Sequence, residues 1–477
     1  MLPEIRQNEH LFSVPVFDID KNDIDCFLEE LIGFHQNFSD CFHRSESRGH
    51  FYNYMAGQFS ELERKSIEPI ALNIKDGKVR AMQRFISDAE WDDPKIMSEY
   101  RNMVKDDLGS LEGVLIFDES GFAKKGNDSV GVAKQYCGSI GKVDNCQVGV
   151  FAAYASPYGY ALIDKQIYIP EKWFGDDFRA KRVKCKLPEN TEFKTKPRLA
   201  AKMLNDVAAE DIIPFKYVLA DSIYGENPDF IDTVESMTGK IYFVSVGADR
   251  LCQLRQPITL KKQYKYKGEI RTEEVLSTDA KTPISVKEPA KNINDCFWYR
   301  RTVSEGAKGP ITYEFTKREV VLSNKGLPQK TVWLIIKRTL SENHEYSYYI
   351  SNAPVSTRLG TFVWLSGLRW AIEQCFEETK SELGLDHYQV RKYTGWHHHI
   401  SVCMPAHFFL WHLKIRLEKK APSITISQIR CLIQVVLPLR PKQVNVVIEK
   451  MRWIHERNHR AYLSHRKRRL NELSGID

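Results

Sequence analysis

Three carboxylates stand out by residue type and position. Asp118 and Asp221 each follow a short apolar run, Val114-Leu115-Ile116-Phe117 and Tyr217-Val218-Leu219-Ala220. A continuous apolar run of this length reads as a strand buried on both faces. Each Asp is therefore expected at a strand end, held rigidly by buried backbone at the edge of a sheet. Glu373 lies in Leu359–Leu383, an amphipathic stretch expected to form one long helix with Gly384 as its cap. Arg369, Glu373 and Lys380 recur there at intervals that share one helical face, and Glu377 shares it too. Spacing alone does not choose between Glu373 and Glu377. Two strand-end carboxylates and one helix carboxylate can converge on hard cations. Oxygen-only ligation with open positions suits Mg²⁺ or Mn²⁺. Two such ions, about 3.5–4 Å apart, activate water and neutralise a leaving phosphate oxygen. An Asp after a strand is often only a cap or turn residue. The pair, with a helix carboxylate downstream, favours a site.

The elements around these residues suggest a layered α/β protein. Residues 1 to about 105 read as polar helices, with Ile24, Phe27, Leu28, Leu31 and Ile32 at helical spacing. A second helix is expected over Met55–Ile74, and Trp91–Pro94 as a turn into a third. After the first apolar run come strand patterns at Gln147–Tyr154 and Tyr160–Ile169, then a helix over Arg198–Glu210. A helix over Pro228–Met237 and a strand over Ile241–Val246 follow the second run. Strands followed by α/β alternation imply a mixed sheet with helices on its faces. Residues 249–350 alternate and carry Lys/Gly turns, so they read as a β-rich insertion. The remainder returns to helix, expected near Ile400–Lys420, Ile426–Leu437 and Lys442–Leu473.

Composition bounds the class. The chain has 477 residues, 42% hydrophobic and 27% charged, ordinary for a globular protein. The ten cysteines form no CxxC pair, and the opening MLPEIRQNEH lacks the pattern of a signal peptide. Free thiols and a cytoplasmic location are expected. No apolar run approaches the roughly 18 residues that span a bilayer, so no membrane partner is expected. From Arg391 to Asp477 there are 17 Lys and Arg against 5 Asp and Glu, whereas residues 1–390 hold 52 against 57. The positive excess thus sits in the last fifth of the chain, where it is suited to a polyanion. The run His465–Arg469, with Arg466, Lys467, Arg468 and Arg469, is the clearest phosphate-gripping segment.

Longer blocks carry a resemblance. They are Phe117–Val150 (FDESGFAKKGNDSVGVAKQYCGSIGKVDNCQVGV), Leu219–Gly225 (LADSIYG), and Leu368–Arg391 (LRWAIEQCFEETKSELGLDHYQVR) followed by Gly395–His399. The chain resembles insertion-sequence transposases of the IS701 family, within the IS4-like DDE enzymes. The resemblance implies an RNase H-like core, α/β with flanking helices, and a catalytic and metal triad of Asp118, Asp221 and Glu373. It implies Mg²⁺, with Mn²⁺ able to substitute, two ions per site. The family helix motif (Tyr, two residues, Arg, three residues, Glu, six residues, Lys) places Arg369, Glu373 and Lys380 in register and so selects Glu373 over Glu377. The motif's Tyr falls at Ser366, a departure. An aromatic of the insertion can stack on a flipped base in such relatives. Trp298 and Trp333 are the candidates, although a Trp there is more often core.

On this reading residues 1–105 form a helical DNA-binding region, 106–248 the first part of the core, and 249–350 the insertion. Residues 351–415 bring the Glu-bearing helix, and 416–477 form a basic helical end. Lys124, Lys125 and Lys142 are further candidates for phosphate contact. His397-His398-His399 point in different directions and cannot all ligate one ion, so a structural or DNA-contact role is expected. The implied activity is hydrolysis at element ends and strand transfer by the freed 3′-hydroxyl. The implied partner is double-stranded DNA, both terminal repeats and target, bound by a dimer in the bacterial nucleoid. The rivals are a nuclease or resolvase on the same core, and a non-catalytic DNA-binding descendant.

Overall fold

The computed structural model describes residues 14–74, 77–266, 269–306, 309–437 and 444–474. The opening decapeptide and residues 442–443 of the last expected helix lie outside these. In chain order the helices are α1 (Lys21–Gln36), α2 (Ser45–Gln58), α3 (Ile67–Asn73), α4 (Val79–Asp88), α5 (Asp93–Leu108), α6 (Lys196–Glu210) and α7 (Pro228–Glu235). They continue with α8 (Leu359–Leu368), α9 (Trp370–Leu383), α10 (Tyr393–Leu417), α11 (Ile426–Ile433) and α12 (Val444–Ser474). Shorter helical turns are left unlabelled. The strands are β1 (Val114–Ala123), β2 (Ala133–Cys137), β3 (Lys142–Ser156), β4 (Gly159–Tyr168), β5 (Tyr217–Ala220), β6 (Ile241–Val246) and β7 (Leu251–Gln253). Then come β8 (Thr259–Tyr266), β9 (Glu269–Leu276), β10 (Ile284–Ser285), β11 (Tyr299–Gly306), β12 (Gly309–Asn324), β13 (Leu327–Arg338) and β14 (Tyr346–Ser351). The fold class is mixed α/β, as the residue pattern implies.

Contacts divide the chain into two compact units. Among the described residues, the larger holds those within 14–216 and 370–474, with 309, and the smaller those within 217–306 and 310–369. These cuts differ from the expected boundaries at 105, 248, 350 and 415.

In the larger unit β1, β2 and β4 each pair antiparallel with the fifteen-residue β3. The strand β1 does not stop at Asp118. It runs on to Ala123, because Glu119–Ala123 continue to pair with Val150–Cys146 of β3. Helix α10 is the hub. It is buried along most of its length and packs on β4, α2, α4, α5, α9 and α11. The N-terminal helices are therefore walls of this core. Asp20 opens α1 through a reciprocal capping box with Asp23, and Asp92 caps α5, with Pro94 in its first turn. The expected helix over Met55–Ile74 is two helices, separated by residues 59–66.

The three consecutive histidines fasten these walls. His398 stacks on Trp91 with ring centroids 3.9 Å apart, and its Nδ1–H donates to the Ile86 carbonyl at 3.0 Å. His399 Nε2–H donates to the Leu385 carbonyl at 3.0 Å, so its Nδ1 accepts from the Tyr54 hydroxyl at 2.9 Å. His397 packs on Tyr393, with centroids 4.4 Å apart. Their role is structural. Two buried ionic groups brace the sheet. Arg101 of α5 donates to the Ile163 carbonyl at 3.2 Å and pairs with Asp164 of β4 (3.2 Å) and Glu210 of α6 (2.5 Å). Glu378 of α9 accepts from His407 of α10 at 2.8 Å and from the Tyr160 hydroxyl at 3.1 Å.

In the smaller unit β5 and β6 are parallel, and β14, β13, β12, β7 and β10 extend the sheet antiparallel. Continuous apolar β5 and β6 are buried as the sequence predicts. The insertion is β-rich as expected. Its β8–β9 pair is a separate, solvent-exposed two-stranded sheet. Helix α8 covers the sheet through Phe362, which lies 6.0 Å from Phe243 and 6.4 Å from Trp333 between ring centroids. The expected single helix over Leu359–Leu383 is broken at Arg369. Among the described residues no helix is long and apolar enough to cross a membrane. All ten cysteines are free thiols.

Burial pushes the histidine rings toward the neutral form: His398 down to about 4, His399 to about 3, and His397 well below its usual value, with Lys165 adding to the effect. Each ring takes up a proton on unfolding near pH 6, where the folded ring does not. Stability is therefore full above the unfolded value of 6.5 and falls as pH drops toward 4. Each such ring should contribute a slope of about 1.4 kcal/mol per pH unit in that window. Urea unfolding at pH 7, 6 and 5 measures it, and His398→Phe, which keeps a ring on Trp91, should remove one ring's share of the slope.

Candidate active site

Alternation along β1 decides which side chains meet. Asp118 is the register partner of Phe151 on β3, so the two share a sheet face. The Phe151 ring packs on Phe376 of α9 at 5.2 Å and on Trp396 of α10 at 6.3 Å. Asp118 thus belongs to the face that α9 covers. Glu119 points the other way and receives Lys196 of α6 at 2.7 Å. The Asp118 carboxylate is half-buried, and its Oδ1 accepts from the Glu119 amide at 2.7 Å.

The course of α9 over this face follows from its contacts. Phe376 sits over Phe151, at the level of Asp118, while Lys380 reaches Gly121 and Phe122. Lys380 Nζ donates to the Gly121 carbonyl at 3.5 Å and lies 5.5 Å from the Phe122 ring centroid. The helix therefore advances in the same direction as β1. Glu373, in its first turn and exposed, lies one turn before Phe376, at the Asp118 end of the contact. Glu377 is exposed as well. Burial holds the Lys380 ammonium below its usual range, countered by Asp386.

Asp221 and Arg369 belong to the smaller unit. Asp221 directly follows β5 and caps the short turn Ser222–Gly225, its Oδ1 accepting from the Ile223 amide at 2.9 Å. The cap role open to such an Asp is thus realised here. Arg369 is half-buried at the end of α8. Ser366, at the motif's Tyr position, donates to the Val363 carbonyl of its own helix at 2.8 Å. Among the described residues no three His, Cys, Asp or Glu side chains form a closed metal-holding group. Hard Mg²⁺ needs no such cage, since it keeps waters and takes substrate phosphate oxygens beside one or two carboxylates. Within the larger unit, Asp118, its Oδ1 oriented by the Glu119 amide, and Glu373 are oxygen donors of the kind that ion takes.

The remaining candidates are dispersed. Lys124 is drawn under the protein surface: its Nζ lies 3.4 Å from the Tyr388 ring centroid and donates to the Tyr388 carbonyl at 3.2 Å. Burial lowers it to about 7, against the pull of Asp386. Lys125 and Lys142 are exposed, Lys142 standing 3.5 Å from Asp144. Trp298 is only 8% exposed, with the Arg338 guanidinium 4.1 Å from its ring centroid. As placed, that ring is not displayed to a base. Trp333 is half-buried beside Lys317, 4.1 Å away. On α12, Lys467 and Arg468 are exposed, Arg468 pairing with Glu472 at 3.4 Å, while Arg466 and Arg469 are half-buried.

Two features escaped the sequence reading. Trp370 is 55% exposed, three residues before Glu373 on the same helical face. Helical spacing from Glu373 finds it once α9 is known to start there. Lys65 is buried at the other end of α9, donating to the Glu382 carbonyl, and burial lowers it to about 7. Nothing in its sequence neighbourhood marks it.

Comparison with known proteins bears on the family. Residues 37–310 match the family described as DDE superfamily endonuclease. A probable transposase for insertion sequence element IS701 from Microchaete diplosiphon is 24% identical over 347 residues, 71% of this chain and 75% of that protein. The solved piggyBac transposase synaptic complex with hairpin DNA aligns over 94% of this chain and 80% of that one, at 8% identity and a TM-score of 0.36, a likeness too slight to carry an argument. The chain belongs to the DDE superfamily of endonucleases and is similar, within it, to an IS701 transposase.

Proposed function

We propose that this transposase uses Asp118, Asp221 and Glu373 as one metal-holding triad and that it moves DNA by hydrolysis followed by strand transfer. The observation that carries the reading is the register that sets Asp118 on the α9 face of β1, at the end of the contact where Glu373 lies. When bound, Mg²⁺ (or Mn²⁺), two ions per site, supplies Lewis-acid activation of water and charge neutralisation at phosphate. The chain's own residues do the rest. The three carboxylates hold the ions against rigid backbone. Arg369 and Lys380 position phosphate oxygens and stabilise charge as it develops. Lys380 is fitted to this, because partial burial leaves its ammonium in a less screened setting.

Water attacks the phosphodiester at the element end, and the DNA 3′-oxygen leaves with a proton. That 3′-hydroxyl then attacks a second phosphodiester, in excision or in target joining. No covalent protein–DNA bond is needed. Lys125, Lys142 and the α12 residues Arg466, Lys467, Arg468 and Arg469 contact the backbone of terminal-repeat or target duplex without reading bases. Trp370, exposed beside Glu373, offers an aromatic face to that DNA. Two ends are joined in one reaction, so a dimer assembles on DNA. The site of action is the bacterial cytoplasm, on nucleoid DNA.

The test is cleavage of a duplex bearing the element end by purified protein in Mg²⁺. Asp118→Ala, Asp221→Ala and Glu373→Ala should each slow cleavage by roughly a thousandfold or more, about 4 kcal/mol of barrier, while duplex affinity stays within about threefold. Full activity in any of them removes that residue from the triad. Cleavage without joining would make the protein a nuclease. No cleavage by the unaltered chain, with binding retained, would make it a DNA-binding protein only. A second measurement tests the register itself: Glu119→Gln and Glu377→Gln, on the wrong face and one turn away, should keep most of the cleavage rate.

A further inference from the structure

The hairpin formed by β2 and the start of β3 ends in apolar side chains that the protein leaves uncovered. Tyr136 and Val143 are register partners, hence side by side, and are 60% and 67% exposed. Ile140, in the turn between them, is 41% exposed. Monomer surfaces seldom gather large apolar groups in this way without a use for them. Lys134, two residues before Tyr136 on the same face, and Lys142, beside Val143, are both exposed. Asp144 lies between them and answers only part of that charge.

The tip is held firmly. Cys137, Cys146 and Val148 are buried beneath it, with Tyr168 packed on them. Gly141 makes its turn at φ +66°. The base of the tip presses on β1 so closely that a Cβ at Gly121 would stand 2.6 Å from Cys137 Sγ. Gly121 lies three residues along β1 from Asp118, about 10 Å. The base of the tip thus stands about three base-pair steps of about 3.4 Å from Asp118, and its apolar end stands farther out.

We propose that this tip is a wedge for duplex DNA: Tyr136, Ile140 and Val143 enter the minor groove about three or more base pairs from the scissile phosphate, while Lys134 and Lys142 hold the flanking phosphates. The proposal rests on the reading of Asp118 as a residue that engages DNA. Three apolar side chains are far too few for a protein interface of about 800 Å² per partner. They suit a groove, where apolar wedges part a base step between basic contacts. The wedge would bend or unstack the DNA beside the reacting bond and so fix where along the duplex cutting occurs.

The experiment uses the full chain and a 40-base-pair duplex spanning one element end and its flank, with 2-aminopurine placed singly at flank positions. Binding should raise the fluorescence at one or two positions about three or more base pairs from the cut. Tyr136→Ser with Ile140→Ser and Val143→Ser should abolish that rise and weaken binding about tenfold. Lys134→Gln with Lys142→Gln should reduce the slope of log affinity against log salt by about 1.8, at 0.9 per phosphate. Unchanged fluorescence and affinity in the tip variants, with Asp118→Ala still blocking cleavage, would overturn the wedge and leave the function standing. Failure of the unaltered chain to bind the duplex would overturn both. Sedimentation that shows the DNA-free chain to dimerise, and the tip variants to lose the dimer, would reassign the tip to protein contact and overturn the wedge.

Discussion

The antiparallel pairing of β1 with β3 is the constraint on which the candidate site depends. Ten consecutive register pairs, from Val114–Ala155 to Ala123–Cys146, leave no freedom about which side chain faces which layer. A slip of one residue would exchange Asp118 for Glu119 on every count: the carboxylate under α9 would turn toward α6 and Lys196. Phe151 packs edge-on against Phe376 of α9, a contact that a shifted register would lose. Strand pairing thus fixes the face on which this carboxylate stands.

The same layer logic explains why α9 stays in place. Its inner face carries Ala371, Ile372, Cys375, Phe376 and Thr379, all buried, and Glu378, a deeply set acid, is satisfied by His407 and Tyr160. Burying a carboxylate unpaired would cost several kcal/mol. Here the cost is met by hydrogen bonds from two neighbouring elements. Glu373, Glu377 and Trp370 are left exposed along its flank. One helix therefore separates an inner set that fastens from an exposed set that is open to substrate.

How much could be read beforehand varied with the locality of the cause. The strands Tyr217–Ala220 and Ile241–Val246 were legible because a strand buried on both faces must be apolar throughout. The continuation of β1 beyond Asp118 was not, since Glu-Ser-Gly-Phe-Ala gains strand structure only by pairing with a segment some thirty residues on. Nor was β2, whose Lys and Gln look like loop. The break at Arg369 follows Ser366-Gly367, but a glycine inside a helical pattern is tolerated too often to announce a break by itself. Asp118 was singled out from residue type and position, and Glu373 over Glu377 by family resemblance, but the face that each occupies needed the register. That the three consecutive histidines cannot all ligate one ion followed from backbone geometry alone. Their partners Trp91, Ile86, Tyr54 and Leu385 are distant in sequence and could not be foreseen.

The packing of α10 against helices made three hundred residues earlier has a consequence for biosynthesis. The buried faces of α2, α4 and α5 find their covering only when residues up to Leu417 have left the ribosome. Until then a nascent chain of several hundred residues displays an unfinished apolar surface, the condition in which long-range topologies fold slowly and stick to one another. Premature termination anywhere before α10 would yield material for chaperones and proteases, not a smaller working protein.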